Sequence, residues 1–206
     1  MSSDSAETIA SGAELVPVNC FEALDLQSIF GRRAPVEVDL GCGDGTFLVA
    51  LAAENPDTDF LGIERLLGRV RAACRKIEHG DLANARVLRF EISYAVEYLL
   101  LPGSVTAFHL LFPDPWPKRR HASRRVVSES FLAALHRALR PGGVIRVATD
   151  DTQYFRQITR RTSQSGLFAL NPDAEGPSPA SKFERRFRGR GVAIHRLELR
   201  RLSPVT

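Results

Sequence analysis
The order of elements after residue 35 constrains the fold more than any other feature. Val36-Glu37-Val38-Asp39-Leu40 reads as a strand, the glycine-rich Gly41-Cys42-Gly43-Asp44-Gly45 follows without a break, and a helical pattern runs from Thr46 to about Asn55. A second strand is expected over 60–64. The helix after it carries Leu66, Val70, Cys74 and Ile77 on one stripe and stops at Gly80. Further strands are expected over 85–90 and 106–112, then a helix over 128–139 with Phe131, Leu132, Leu135 and Leu139 on one face. Pro141-Gly142-Gly143 turns into a strand over 144–149, and Asp150 or Asp151 caps a helix that runs to about Ser165. The last strands fall near 167–170 and 193–200. Strands alternating with helices in this way call for an α/β fold, with a mostly parallel sheet covered by helices on both faces. In such sheets ligands bind beyond the carboxyl ends of the strands.

A length of 206 residues suits one domain. We read residues 1–20 as a flexible N-terminal segment and 21–206 as a single domain. Apolar residues are 44% of the chain and charged residues 25%, which supports a core and excludes wholesale disorder. No window approaches the run of about 18 apolar residues that a membrane-spanning helix needs. Cys20, Cys42 and Cys74 are odd in number and form no paired motif, so they read as reduced thiols rather than a disulfide frame or a metal site. The first twelve residues carry neither a basic residue nor an apolar run, so no signal peptide is expected, and the protein is expected in the cytoplasm. The charges are unevenly placed. Residues 1–116 hold 9 Lys and Arg against 17 Asp and Glu; residues 117–206 hold 19 against 7. An acidic site beside a polyanion-binding face fits that division. Of the 28 basic residues 25 are arginine, the side chain suited to bidentate phosphate contacts.

The glycine turn narrows the ligand. Gly41, Gly43 and Gly45 let the backbone take positive φ and approach a ligand closely. The dinucleotide fingerprint would need a glycine at 46, where Thr46 stands. Asp39, just ahead of the glycines, would repel a pyrophosphate. Glu64 closes the second strand, where a carboxylate commonly takes a ribose diol. A cationic ligand with hydroxyls and an amino group meets all of these conditions, and S-adenosylmethionine is such a ligand.

The fourth strand ends in Phe112-Pro113-Asp114-Pro115-Trp116-Pro117-Lys118-Arg119-Arg120-His121. Three prolines in five residues fix φ and remove backbone donors, which leaves the Asp114 carboxylate presented on a rigid segment. That carboxylate can accept the N1–H and the N2 amino group of a guanine. Trp116 offers a face on which an extruded base stacks, and the basic residues that follow can hold phosphates.

Together these motifs resemble the bacterial tRNA (guanine-N7)-methyltransferases, over roughly 36–200. The most specific mark is FPDPWPKRRH followed by RRVV; VDLGCGDG, GIE at 62–64, PGG with ATD at 141–150, and SKFERR at 181–186 support it. The resemblance implies a Rossmann-like class I methyltransferase fold with a seven-stranded sheet whose last strand is antiparallel. It implies S-adenosylmethionine as methyl donor and tRNA as substrate. It further implies that Asp39, Gly41, Gly43, Glu64 and Asp114 hold the donor and that Asp114 is also the catalytic residue, set between donor and guanine. Lys118, Asp150, Ser181, Lys182, Phe183 and Glu184 would contact the tRNA. The chain departs from the family at Tyr94-Ala95, which takes the place of the usual Asp-Ala after the third strand. Ser181 and Glu184 also fit a helix capping box.

Arg119, Arg120, Arg124 and Arg125, with Arg185, Arg186, Arg188 and Arg190, are expected to form a phosphate grip. No histidine group has metal-binding spacing. Two other readings use the same residues: a methyltransferase of this fold with another acceptor, or an RNA-binding protein that has kept the fold and lost turnover. The chain is expected to act as a monomer or homodimer.

Overall fold
The computed structural model describes residues 9–116, 125–172 and 192–203. In chain order the elements are β1 (Ile9–Ser11), β2 (Glu14–Val16), α1 (Leu26–Phe30), β3 (Val36–Leu40), α2 (Thr46–Glu54), β4 (Asp59–Ile63), α3 (Leu67–His79), β5 (Ala85–Leu88), α4 (Ile92–Tyr94) continued by a π-helical turn (Ala95–Leu99), β6 (Val105–Leu111), α5 (Glu129–Ala138), β7 (Leu139–Thr149), α6 (Thr152–Ser165), β8 (Phe168–Asn171) and β9 (His195–Arg201). All the strands join one sheet in the order β1-β2-β5-β4-β3-β6-β7-β9-β8. Strands β3 to β7 are mutually parallel, and β9 runs antiparallel between β7 and β8. The seven strands β3–β9 are those expected from the sequence, including an antiparallel last strand.

The sheet is wider than expected by two strands. Within residues 1–20, expected from the sequence to be a flexible segment, β2 pairs parallel with β5, and β1 pairs antiparallel with β2. Leu15 is fully buried there, and its burial holds the short strand in place.

Alternation along the strands divides the core. Val36, Val38 and Leu40 face one layer with Phe131, Leu132, Leu135, Tyr154 and Ile158 of α5 and α6. Phe60 and Val87 face the opposite layer with Phe47, Leu48 and Leu51 of α2 and Val70, Ala73 and Ile77 of α3. Glu37 and Asp39 therefore point toward the side of α2 and α3. Part of this side is polar. His109 on β6 meets Glu37 Oε2 at 2.7 Å, and Arg146 on β7 reaches the same oxygen at 3.4 Å.

Beyond β3 the chain continues to β4 and β5 on one side; beyond β6 it continues to β7 on the other. The adjacent strands β3 and β6 thus mark the point where the winding reverses, the place beside which ligands of such sheets bind.

Candidate active site
The glycine turn is built from backbone. Gly41, Gly43 and Gly45 have φ of 81°, 58° and 73°, the left-handed region that glycine enters without steric cost. The amides of Gly41 and Cys42 both donate to the carbonyl of Ile63, at 2.8 and 3.0 Å, which ties the turn to the end of β4. A Cβ at Gly41 or Gly43 would meet open space, whereas one at Gly45 would lie 2.6 Å from Ala73 Cβ on α3. The first two glycines leave room for a ligand, and the third lets α3 pack against the turn. Lys76 on α3 braces the turn from outside: its ammonium donates to the Asp44 carbonyl at 2.8 Å and to Thr46 Oγ1 at 2.6 Å, and lies 3.1 Å from the Asp44 carboxylate. Sequence reasoning did not single out Lys76, because its partners Asp44 and Thr46 lie about thirty residues away along the chain.

Two carboxylates sit at this turn. Asp39 is the fourth residue of β3 and pairs in register with Gly62; Glu64 immediately follows β4. Each is only 5% exposed. Glu64 Oε1 accepts from the Leu66 amide at 2.9 Å, and Arg69 lies 3.6 Å from Oε2. Burial, and secondly the Glu64 charge, raise the Asp39 carboxyl to about 7. A cation placed beside the buried Asp39 carboxyl would favour its ionised form. The open room above Gly41 and Gly43 beside this pair fits a sulfonium ligand.

Next to the pair, a cleft of about 530 Å³ is lined by Glu14–Pro17, Arg65, Arg89, Phe90 and Glu91. One wall comes from β2, the other from the residue after Glu64 and from the turn after β5. Tyr94, aligned above with the family's acidic position, is engaged elsewhere. Its hydroxyl donates to the Cys20 carbonyl at 3.0 Å, and its ring stacks on Phe90 with centroids 5.8 Å apart. The carboxylate at this end of the cleft belongs to Glu91, which also accepts from the Tyr94 amide at 3.0 Å.

Beyond β6, the Phe112 amide donates to the Ala148 carbonyl at 2.7 Å and hooks the proline loop to β7. Phe112 and Trp116 have φ of 53° and 41°, values that bulky residues seldom adopt. Between them Asp114 is exposed. Arg125, expected in the phosphate grip, is instead turned into this loop, and its Nε donates to the Pro115 carbonyl at 2.7 Å.

Known proteins resemble this chain in both sequence and fold. Residues 33–197 match the family described as "Putative methyltransferase". The chain is 42% identical to the tRNA (guanine-N(7)-)-methyltransferase of Leifsonia xyli over 87% of its length and 82% of that protein. It is 36% identical to the protein of the same name from Syntrophotalea carbinolica, over 86% and 78%. The chain belongs to the tRNA (guanine-N(7)-)-methyltransferase family. Among solved structures, the antibiotic-resistance methyltransferase Kmr superposes with a TM-score of 0.63 at 20% identity, over 93% of this chain and 96% of that one. The 16S rRNA (adenine(1408)-N(1))-methyltransferase of Catenulisporales acidiphilia superposes with 0.62 at 17%, over 97% and 98%. Those two likenesses establish the class I methyltransferase fold.

The remaining family positions fall as follows. Asp150 is exposed and directly follows β7. Its neighbour Asp151 caps α6 by accepting from the Tyr154 amide at 2.7 Å. Of the two capping candidates it is therefore Asp151 that is used structurally. Lys118, Ser181, Lys182, Phe183 and Glu184 lie outside the described residues. So do Arg119, Arg120, Arg124, Arg185, Arg186, Arg188 and Arg190.

Proposed function
We propose that the chain transfers the methyl group of S-adenosylmethionine to N7 of a guanine in the variable loop of tRNA. One observation carries this reading. The buried Asp39–Glu64 pair and the loop that presents Asp114 stand at the carboxyl ends of adjacent strands, on either side of the point where the sheet reverses. Asp39, Glu64 and the space above Gly41 and Gly43 would hold the donor, and Glu91 would meet its adenine end in place of an acidic residue at 94. When bound, the donor supplies an electrophilic methyl group. Guanine N7 attacks with a free lone pair, so no proton has to leave first and no strong base is needed. Catalysis then rests on alignment, which is worth up to about 7–11 kcal/mol, and on charge. The purine becomes cationic as the methyl arrives. Asp114 accepts the N1–H and N2 donors of the base, fixes its orientation, and stabilises that charge. Asp150, Lys118 and the Ser181–Glu184 stretch would hold the tRNA.

No helix among the described residues is long and apolar enough to cross a membrane, which is in keeping with a cytoplasmic enzyme acting on tRNA. The test is incubation with unmodified tRNA and a labelled methyl donor, followed by cleavage at 7-methylguanine. Cleavage at one variable-loop position is expected; label on another base or on protein would refute the reading. Asp114→Ala should lower single-turnover methylation at least about 100-fold while donor binding survives. An unchanged rate would remove Asp114 from the mechanism.

A further inference from the structure
We propose that Arg125 is a positioning residue that keeps the Asp114 loop in its working shape, rather than a contact to RNA. The proposal rests on the role given to Asp114 above. A loop with prolines at 113, 115 and 117 lacks three backbone N–H groups and has few donors with which to brace itself. Its carbonyls must be met from outside, and Arg125 meets two in succession. Nε donates to the Pro115 carbonyl at 2.7 Å and Nη2 to the Trp116 carbonyl at 3.2 Å. Nη1 donates to Gln157 Oε1. The guanidinium carbon lies 5.3 Å from the centroid of the Tyr154 ring, which covers one face of the cation.

Gln157 and Tyr154 both belong to α6, and the Tyr154 side chain is fully buried. Arg125 thus ties the loop to a helix anchored in the core. The tie lands on Trp116, whose φ of 41° an aromatic residue does not hold without support. Three of its five N–H groups are spent on these oxygens and one face lies against an aromatic ring, which leaves at most two N–H groups for a phosphate. Lysine could not replace it, because an ammonium has neither the fork nor the flat face.

The full-length protein carries its own reporter, since Trp116 is the sole tryptophan. Arg125→Lys and Arg125→Ala are compared with wild type and Asp114→Ala, without tRNA or donor. Both Arg125 variants should show red-shifted emission and stronger acrylamide quenching, with circular dichroism unchanged; Asp114→Ala should show neither effect. At saturating tRNA and donor, kcat should fall about 100-fold in both Arg125 variants. Donor affinity and the salt dependence of tRNA binding should stay at wild-type values. Gln157→Ala should move emission and kcat the same way, by a smaller factor, and serves in place of an Arg125 variant that fails to fold. Wild-type emission and kcat in Arg125→Lys would overturn the proposal. So would wild-type emission in Arg125→Ala with a salt slope shallower by about one, which marks a lost phosphate contact. Full activity of Asp114→Ala alongside shifted emission in the Arg125 variants would instead refute the role of Asp114 and leave the tie standing.

Discussion

Asp39 shows how burial and a neighbouring charge together set the chemistry of a residue. Its carboxyl is raised by burial and by Glu64 to about 7, against an ordinary value of 3.8. Between these two pH values the folded chain holds a proton that the unfolded chain has released, so this group's contribution makes the ligand-free protein less stable as pH rises through the window. A cationic donor favours the ionised form, and binding it below pH 7 must release that proton. Donor affinity, measured by calorimetry, should therefore strengthen with pH by up to about tenfold per unit below 7 and level off above. In Asp39→Asn the dependence should vanish and binding should weaken. A flat profile in the wild type would contradict the assignment. Asp39 and Glu64 were legible in the sequence because a strand end fixes where a carboxylate points. Arg125 was not, because its partners include backbone carbonyls, which leave no trace in residue identity. Glu91 was passed over for Tyr94 because the end of β5 at Leu88 sets the register of the turn, and a run of residues does not reveal where a strand stops.

At the scale of elements, the turn between β3 and α2 divides its glycines between two tasks, and substitution separates them. Gly45→Ala forces a side chain into the left-handed region at a cost of about 1–2 kcal/mol. It also drives Cβ to 2.6 Å from Ala73 Cβ, an overlap worth about 1–3 kcal/mol. Urea unfolding should report a total loss of about 2–5 kcal/mol. Gly43→Ala meets open space and should lose only the backbone part, about 1–2 kcal/mol. Equal losses would mean that α3 does not rest on Gly45. The long elements were readable because each spans enough residues to show a period: α3 buries Val70, Ala73, Cys74 and Ile77, and α6 buries Tyr154, Ile158 and Thr162. β1, β2, α1 and the helical turns over 92–99 are too short to display one. They form because neighbouring surface is available, as where Leu24 bridges to Leu100 beside the end of the π-helical turn. Leu66, read as part of the apolar stripe of α3, is instead the exposed residue that precedes it.

Across the whole molecule, charge sorts by sequence half, and most of the acidic groups precede the proline loop. With 19 basic against 7 acidic residues after position 116, tRNA affinity in filter binding should fall by at least about 100-fold between 50 and 200 mM salt. Affinity for the small donor should change far less. A salt-insensitive tRNA affinity would rule out a phosphate grip. The sheet order has a further consequence for how the protein can be shortened. The family match begins at residue 33, yet Glu14–Pro17 form one bank of the cleft beside Glu91. A minimal version cut at that boundary would retain the glycine turn, both buried acids and the proline loop. It would also leave the β5 margin of the sheet bare and the cleft with a single side.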